Sequence, residues 1–265
     1  MILRKMMVKH ADPIQYTLGD FSVNDFLGKK LTLEWTGEIF CIQCNRPIKK
    51  TFQQGYCFPC FQKINACNNC MIHPERCLVE TGKCDPTDWA HEHCHQKHIV
   101  YLANTSGLKV GITRTKNNPS RWIDQGAIQA LPIFETQNRY QAGIVEVAFK
   151  KFMEDKTNWR KMLRETAAPI DLFAARDENL SQSKHALQSI LEKYTDVITE
   201  IHDNSVLKFS YPIQKYPEKL ITLSFDQTPT ISGVLQGIKG QYLLLACGVL
   251  NIRKFGGYEV NVKQV

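Results

Sequence analysis

An α+β fold is predicted, on three observations. Apolar and polar side chains alternate with a period of two near both ends of the chain. Nine of the ten cysteines fall between Cys41 and Cys94, and strand-like runs alternate with helical spacing between residues 98 and 165. Together these give N-terminal strands over 1–40, a Cys-rich zinc-ribbon-like segment over 41–97, a small α/β unit over 98–165, a helical segment over 166–205 and a β-rich unit over 206–265.

The first strands are read in "IQYTLGDFSV" and "KKLTLEWTGEIF", where Gly-Asp and Gly-Lys-Lys punctuate the alternation. Residues 41–98 then abandon periodicity for cysteine, histidine, proline and asparagine, too few large apolar groups to pack unaided. Next come the strands "HIVYLA" and "LKVGITR", a short helix around Arg121, the strand "AIQALPIFE" and a helix from about Arg139. The apolar stripe of that helix is read as Tyr140, Ile144, Val147, Ala148 and Phe152, with Glu146, Lys150 and Glu154 pointing elsewhere. A second helix is expected from about Leu180, capped by Asn179 or Ser181, its stripe running through Leu187, Ile190 and Leu191 to Ile198 and Ile201. "LKFSYPI", "LITLSF", "ISGVLQGI", "QYLLLACGVLNIRKF" and "YEVNVKQ" read as closing strands. Each β region alone is thin, so the first strands are expected to complete the last sheet.

Composition narrows the function classes. A 43% hydrophobic chain of 265 residues can bury a core, and a net charge of +7 favours a polyanionic partner such as nucleic acid. No apolar run approaches the ~20 residues that span a bilayer, and the opening residues lack an apolar leader. A soluble cytoplasmic protein without a membrane partner is the expectation. In that compartment the cysteines read as metal ligands rather than disulfides.

In "CIQCNRPIKKTFQQGYCFPC" two C-x2-C knuckles, Cys41/Cys44 and Cys57/Cys60, are joined by twelve residues. Each knuckle presents two thiolates on one turn, so four sulfurs reach the tetrahedron that Zn²⁺ accepts, with no position left for water. The expected role is structural. A second site is expected in the stretch that follows, drawn from Cys67, Cys70, Cys77, Cys84, Cys94 and the histidines His73, His91, His93, His95 and His98. Cys67 and Cys70 are its surest pair, His98 is the histidine that abuts a strand, and zinc or an iron–sulfur cluster fits on paper.

"IVYLANTSGLKVGITR", followed by Arg121 and by Glu146 on the next helix, resembles the GIY-YIG nuclease domain. The resemblance covers residues 98 to 155. It implies strand, strand, helix with arginine, strand, helix with glutamate, and metal-assisted hydrolysis of a phosphodiester with Mg²⁺ or Mn²⁺. Tyr101 stands for the first tyrosine, Lys109 where the second would be, and Gly111 for the closing glycine. The implied roles are base or orienter for Tyr101, phosphate clamp for Arg121 and metal ligand for Glu146, with Gly111 letting backbone approach phosphate. Lys109 replaces a phenol by a cation, so two outcomes follow: an endonuclease on DNA or structured RNA, or a non-catalytic nucleic-acid-binding module. The knuckles ahead of "GLKVGITR" and "RWIDQGA" also resemble a bacterial family of uncharacterised proteins.

Each residue also has a plainer reading. Tyr101 packs a strand, Arg121 caps a helix or pairs with Asp124, and Glu146 makes a surface pair with Lys150 worth about 0.3 kcal/mol. Arg114, Lys150, Lys151 and Arg160, with Trp159 among them, form a candidate backbone-binding face in which the indole stacks a base.

Overall fold

The computed structural model describes residues 1–84, 88–202 and 205–264. Near the start lie β1 (Met7–Lys9), β2 (Gln15–Leu18), β3 (Phe21–Ser22) and the long β4 (Lys30–Ile39). The Cys-rich segment contributes two six-residue helices, α1 (Phe58–Lys63) and α2 (Asp88–His93). Then follow β5 (His98–Asn104), β6 (Leu108–Arg114), α3 (Ser120–Asp124), β7 (Gln129–Thr136) and α4 (Arg139–Phe149). The chain continues through α5 (Trp159–Arg164), α6 (Leu172–Lys193), β8 (Ile198–Glu200) and β9 (Leu207–Lys208). It closes with β10 (Thr230–Lys239), β11 (Tyr242–Leu245), β12 (Gly248–Asn251) and β13 (Tyr258–Gln264).

The mixed α+β class is what the alternation predicted. β1, β2 and β3 form a small sheet, and a five-stranded sheet runs β12-β11-β10-β4-β13. In that sheet Leu33 of β4 sits opposite Ile231 on one side and Val262 on the other, so an N-terminal strand is an interior member of the C-terminal sheet. The third sheet runs β6-β5-β7-β8, with β9 also on β7.

β5 is buried along its whole length because both faces are covered. Ile99, Tyr101 and Ala103 face a core shared with the terminal sheets, including Trp122, Leu235 and Leu243. Val100 and Leu102 face a second core built with Val145, Phe149 and Leu187 of α4 and α6. The strand reads as a continuous apolar run for that reason.

Four local expectations are corrected. α6 starts at Leu172, capped by Asp171, whose Oδ1 accepts from the Phe173 and Ala174 amides at 3.0 Å. Asn179 lies inside it and donates to the Ala175 carbonyl at 2.7 Å, so polar residues on the buried stripe hid the first turns. Ile198 belongs to β8 rather than to the helix. The buried face of α4 is Ala142, Val145, Ala148 and Phe149 together with Gly143 and Glu146, because the turn at Pro74–Arg76 covers a side that the stripe left open. "LITLSF" makes a single bridge, Thr222 to Val249, and "LKFSYPI" is strand over Leu207–Lys208 only.

Candidate metal centre and basic cleft

The knuckles converge. The sulfurs of Cys41, Cys44, Cys57 and Cys60 all lie within 4.8 Å of one another. Cys44 and Cys57 are 3.8 Å apart, about the edge of a tetrahedron with 2.3 Å zinc–sulfur bonds. The Cys57 amide points at Cys41 Sγ at 3.2 Å, and Arg46 Nε donates to Cys44 Sγ at 3.2 Å. Burial opposes ionisation of Cys41, but amide hydrogen bonds outweigh it and bring the thiol down to about 6. The set fits structural zinc, which would hold the two knuckles together where little apolar surface does.

The remaining thiols divide. Cys67 is raised by burial and by the charge at Cys41, whereas Cys70 is raised by burial and by Cys77 and Cys84. Cys77 and Cys94 are buried in one small cluster with Val79, against which Cys70, Trp89 and Tyr140 pack. His98 Nδ1 donates to the Gln96 carbonyl at 2.7 Å, and burial pushes its pKa down to about 4.

The second feature is a cleft of about 490 Å³ lined along β6 from Lys109 to Arg114 and by Tyr101 in the middle of β5. Tyr101, Lys109, Arg121 and Glu146 all line it. Tyr101 and Gly111 are cross-strand partners, and Lys109, two residues away, shares their face. An ideal Cβ on Gly111 would lie 2.7 Å from the Tyr101 hydroxyl. The glycine is therefore needed for the phenol to lie across β6, a tighter requirement than approach to phosphate. α3 supplies Arg121 beside the phenol, and α4 supplies Glu146 from the other side of the cleft.

Gln125, at the end of α3, joins these groups: its Oε1 accepts from Tyr101 Oη at 3.1 Å and from Lys109 Nζ at 3.2 Å. Burial raises Tyr101 to about 12, so the phenol is a hydrogen-bond donor. Burial and the nearby Arg121 charge lower Lys109 to about 8. Burial raises Glu146 above the usual carboxylate range, against the pull of Lys150. Lys150 Nζ bridges Glu146 at 3.1 Å and Asp155 at 3.2 Å, so the expected helix-face ion pair is present and recruits a second carboxylate. Asp124 pairs with Lys5 at 2.9 Å, not with Arg121.

The cleft is strongly cationic: Lys5, Lys109, Arg114, Arg121, Arg139, Lys150 and Arg253 face Asp124, Glu146 and Asp155. Lys5, Gln125, Asp155 and Arg253 escaped the sequence reading because they arrive from four separate parts of the chain. Of the candidate binding face, Arg114 and Lys150 are in the cleft. Lys151 is exposed away from its lining. Trp159 stacks on Tyr242 with rings 8° from parallel and 5.8 Å apart, and the Arg160 guanidinium lies 4.5 Å from the indole centre. That indole is already engaged within the fold.

Residues 28–260 match the family model described as Protein of unknown function (DUF2797). The chain belongs to that family. No curated protein and no solved structure matches it. The DUF2797 match spans both thiol groups and the whole cleft except Lys5. Among the described residues no helix is long and apolar enough to cross a membrane.

Proposed function

We propose that this DUF2797 protein is a zinc-stabilised, divalent-metal-dependent phosphodiesterase acting on nucleic acid, with a GIY-YIG-like site in the basic cleft. The observation that carries the reading is the convergence of Tyr101, Lys109, Arg121 and Glu146 on one cationic cavity. Arg121, with Arg253 beside it, is the phosphate clamp, its planar guanidinium matching two phosphate oxygens. Gln125 fixes the phenol and the amine relative to each other. Tyr101 orients and donates; Lys109, brought down to about 8, is the group that exchanges a proton there.

Glu146 and Asp155 would hold Mg²⁺ or Mn²⁺. Hard oxygen donors suit either ion, and the two carboxylates already share one cation, the Lys150 ammonium. When bound, the ion supplies Lewis-acid stabilisation of the charged phosphoryl group. The same ammonium favours the second reading, a nucleic-acid-binding module without hydrolysis, since it neutralises the carboxylates that a metal needs.

Purified protein is to be assayed with Mg²⁺ or Mn²⁺ on single-stranded, duplex and branched DNA and on tRNA. Cleavage is expected, reduced at least ~100-fold in Glu146→Ala and Arg121→Ala. Binding with no cleavage by the parent selects the module. Equal cleavage by Glu146→Ala ends the nuclease reading.

A further inference from the structure

We propose that Phe52, Phe58 and Phe61, on the four-cysteine module, are a stacking platform for the bases of a single-stranded nucleic acid. The inference rests on the nucleic-acid reading for the class of partner and does not depend on hydrolysis. α1 carries Phe58 and Phe61 one turn apart, so both rings leave the helix on one side. Phe52 reaches them from the hairpin between the knuckles, where its amide and carbonyl pair with those of Tyr56 at 2.8 and 2.9 Å. Gln53 and Gln54 turn that hairpin with left-handed backbone, at φ of 43° and 67°. The Phe52 ring centre lies 5.2 Å from that of Phe58 and 5.7 Å from that of Phe61.

Among the described residues, none of the three rings belongs to a buried core, and Phe58 is 49% exposed. A lone exposed phenylalanine is ordinary, but three gathered outside the core leave ring faces in water that folding does not account for. Charge selects the occupant. No Asp or Glu stands between Glu38 and Glu75. Arg46 is committed to the Cys44 sulfur, but Lys49, Lys50 and Lys63 are exposed, and the Lys50 ammonium lies 5.7 Å from the Phe52 ring centre. Cations interleaved with ring faces suit the alternation of phosphate and base along a strand. A duplex hides its base faces, so the strand is a single one.

The module also borders the cleft. Ala66, three residues past the end of α1, lines the cavity, and so does Arg253. From Arg253 the chain passes directly behind the hairpin: the Gln54 carbonyl is pressed so close to Gly256 that an ideal Cβ there would overlap it. Cleft and platform therefore flank one segment. The platform offers the ring faces that Trp159, stacked on Tyr242, does not.

The test is the affinity of the full-length protein for a fluorescent single-stranded oligonucleotide and for an abasic strand of the same length, without added Mg²⁺ or Mn²⁺. The parent is expected to prefer the strand with bases, and Phe58→Ala to lose about tenfold on that strand alone. Phe58→Trp should keep the affinity and Phe58→Leu should not, which separates stacking from apolar docking. Equal binding of the two strands by the parent, or parent-like affinity in Phe58→Ala, overturns the platform and leaves the nucleic-acid reading standing. Loss on both strands alike would make Phe58 a structural residue and overturn it too. No binding of either strand by the parent ends both readings and leaves the rings to a protein partner.

Discussion

Gly111 and Tyr101 face each other across β5 and β6, and neither can yield. The phenol is 1% exposed and its ring meets Trp122 edge-on at 5.4 Å, so a Cβ at position 111 has only the tyrosine to displace. Gly111→Ala is expected to cost about 1–3 kcal/mol in denaturant unfolding and to weaken the proposed cleavage with it. Lys109 acts on stability through charge. Its folded pKa, about 8, lies below the ordinary 10.5, so between those values the unfolded chain binds more protons and stability rises with pH. Below pH 8 the full penalty applies, about 3 kcal/mol if nothing else relaxes. Lys109→Met is therefore expected to be more stable than the parent at pH 7, with the gap shrinking towards pH 10. Urea midpoints at the two pH values measure it, and a constant gap would refute burial as the cause.

At the scale of elements, long apolar runs were legible and polar stripes were not. β4, β5, β6, β7 and β10 were readable from alternation or continuous hydrophobicity because tertiary packing reinforces those patterns. The first two turns of α6 were hidden, since its buried stripe passes through Asn179 and Ser183. α4 was read as one-sided although the turn at Pro74–Arg76 presses on Gly143 so closely that an ideal Cβ there would lie 2.5 Å from the Glu75 amide nitrogen and the Pro74 carbonyl carbon. The two helices predict different responses. Asp171→Ala removes a cap from an exposed end and is expected to cost about 1 kcal/mol. Gly143→Ala meets backbone that cannot rotate away and is expected to cost more, about 1–3 kcal/mol. Thermal melts of the two variants rank them; the reverse order would mean that α4 and the Cys-rich segment are not docked as seen.

Across the whole molecule, the four motif residues were legible because they lie on one short α/β unit, while the cationic surroundings were not, because only folding brings Lys5 and Arg253 to Arg121 and Arg114. The charge of +7 favours a polyanionic partner and gives no location for it. Under the proposed function the cleft and the exposed face after α4 that carries Lys151 both offer cations to phosphate. Each phosphate neutralised releases condensed counterions, so the logarithm of the association constant falls with the logarithm of salt by about 0.7 per contact on a single strand. Affinity for a fluorescent single-stranded oligonucleotide, measured from low to moderate salt, should give a steep line for the parent. Arg253→Ala removes one cleft cation and should flatten that slope by about one contact, while Lys151→Ala should leave it unchanged. The opposite pattern would place the polyanion on the face after α4 and leave the cleft without its proposed ligand.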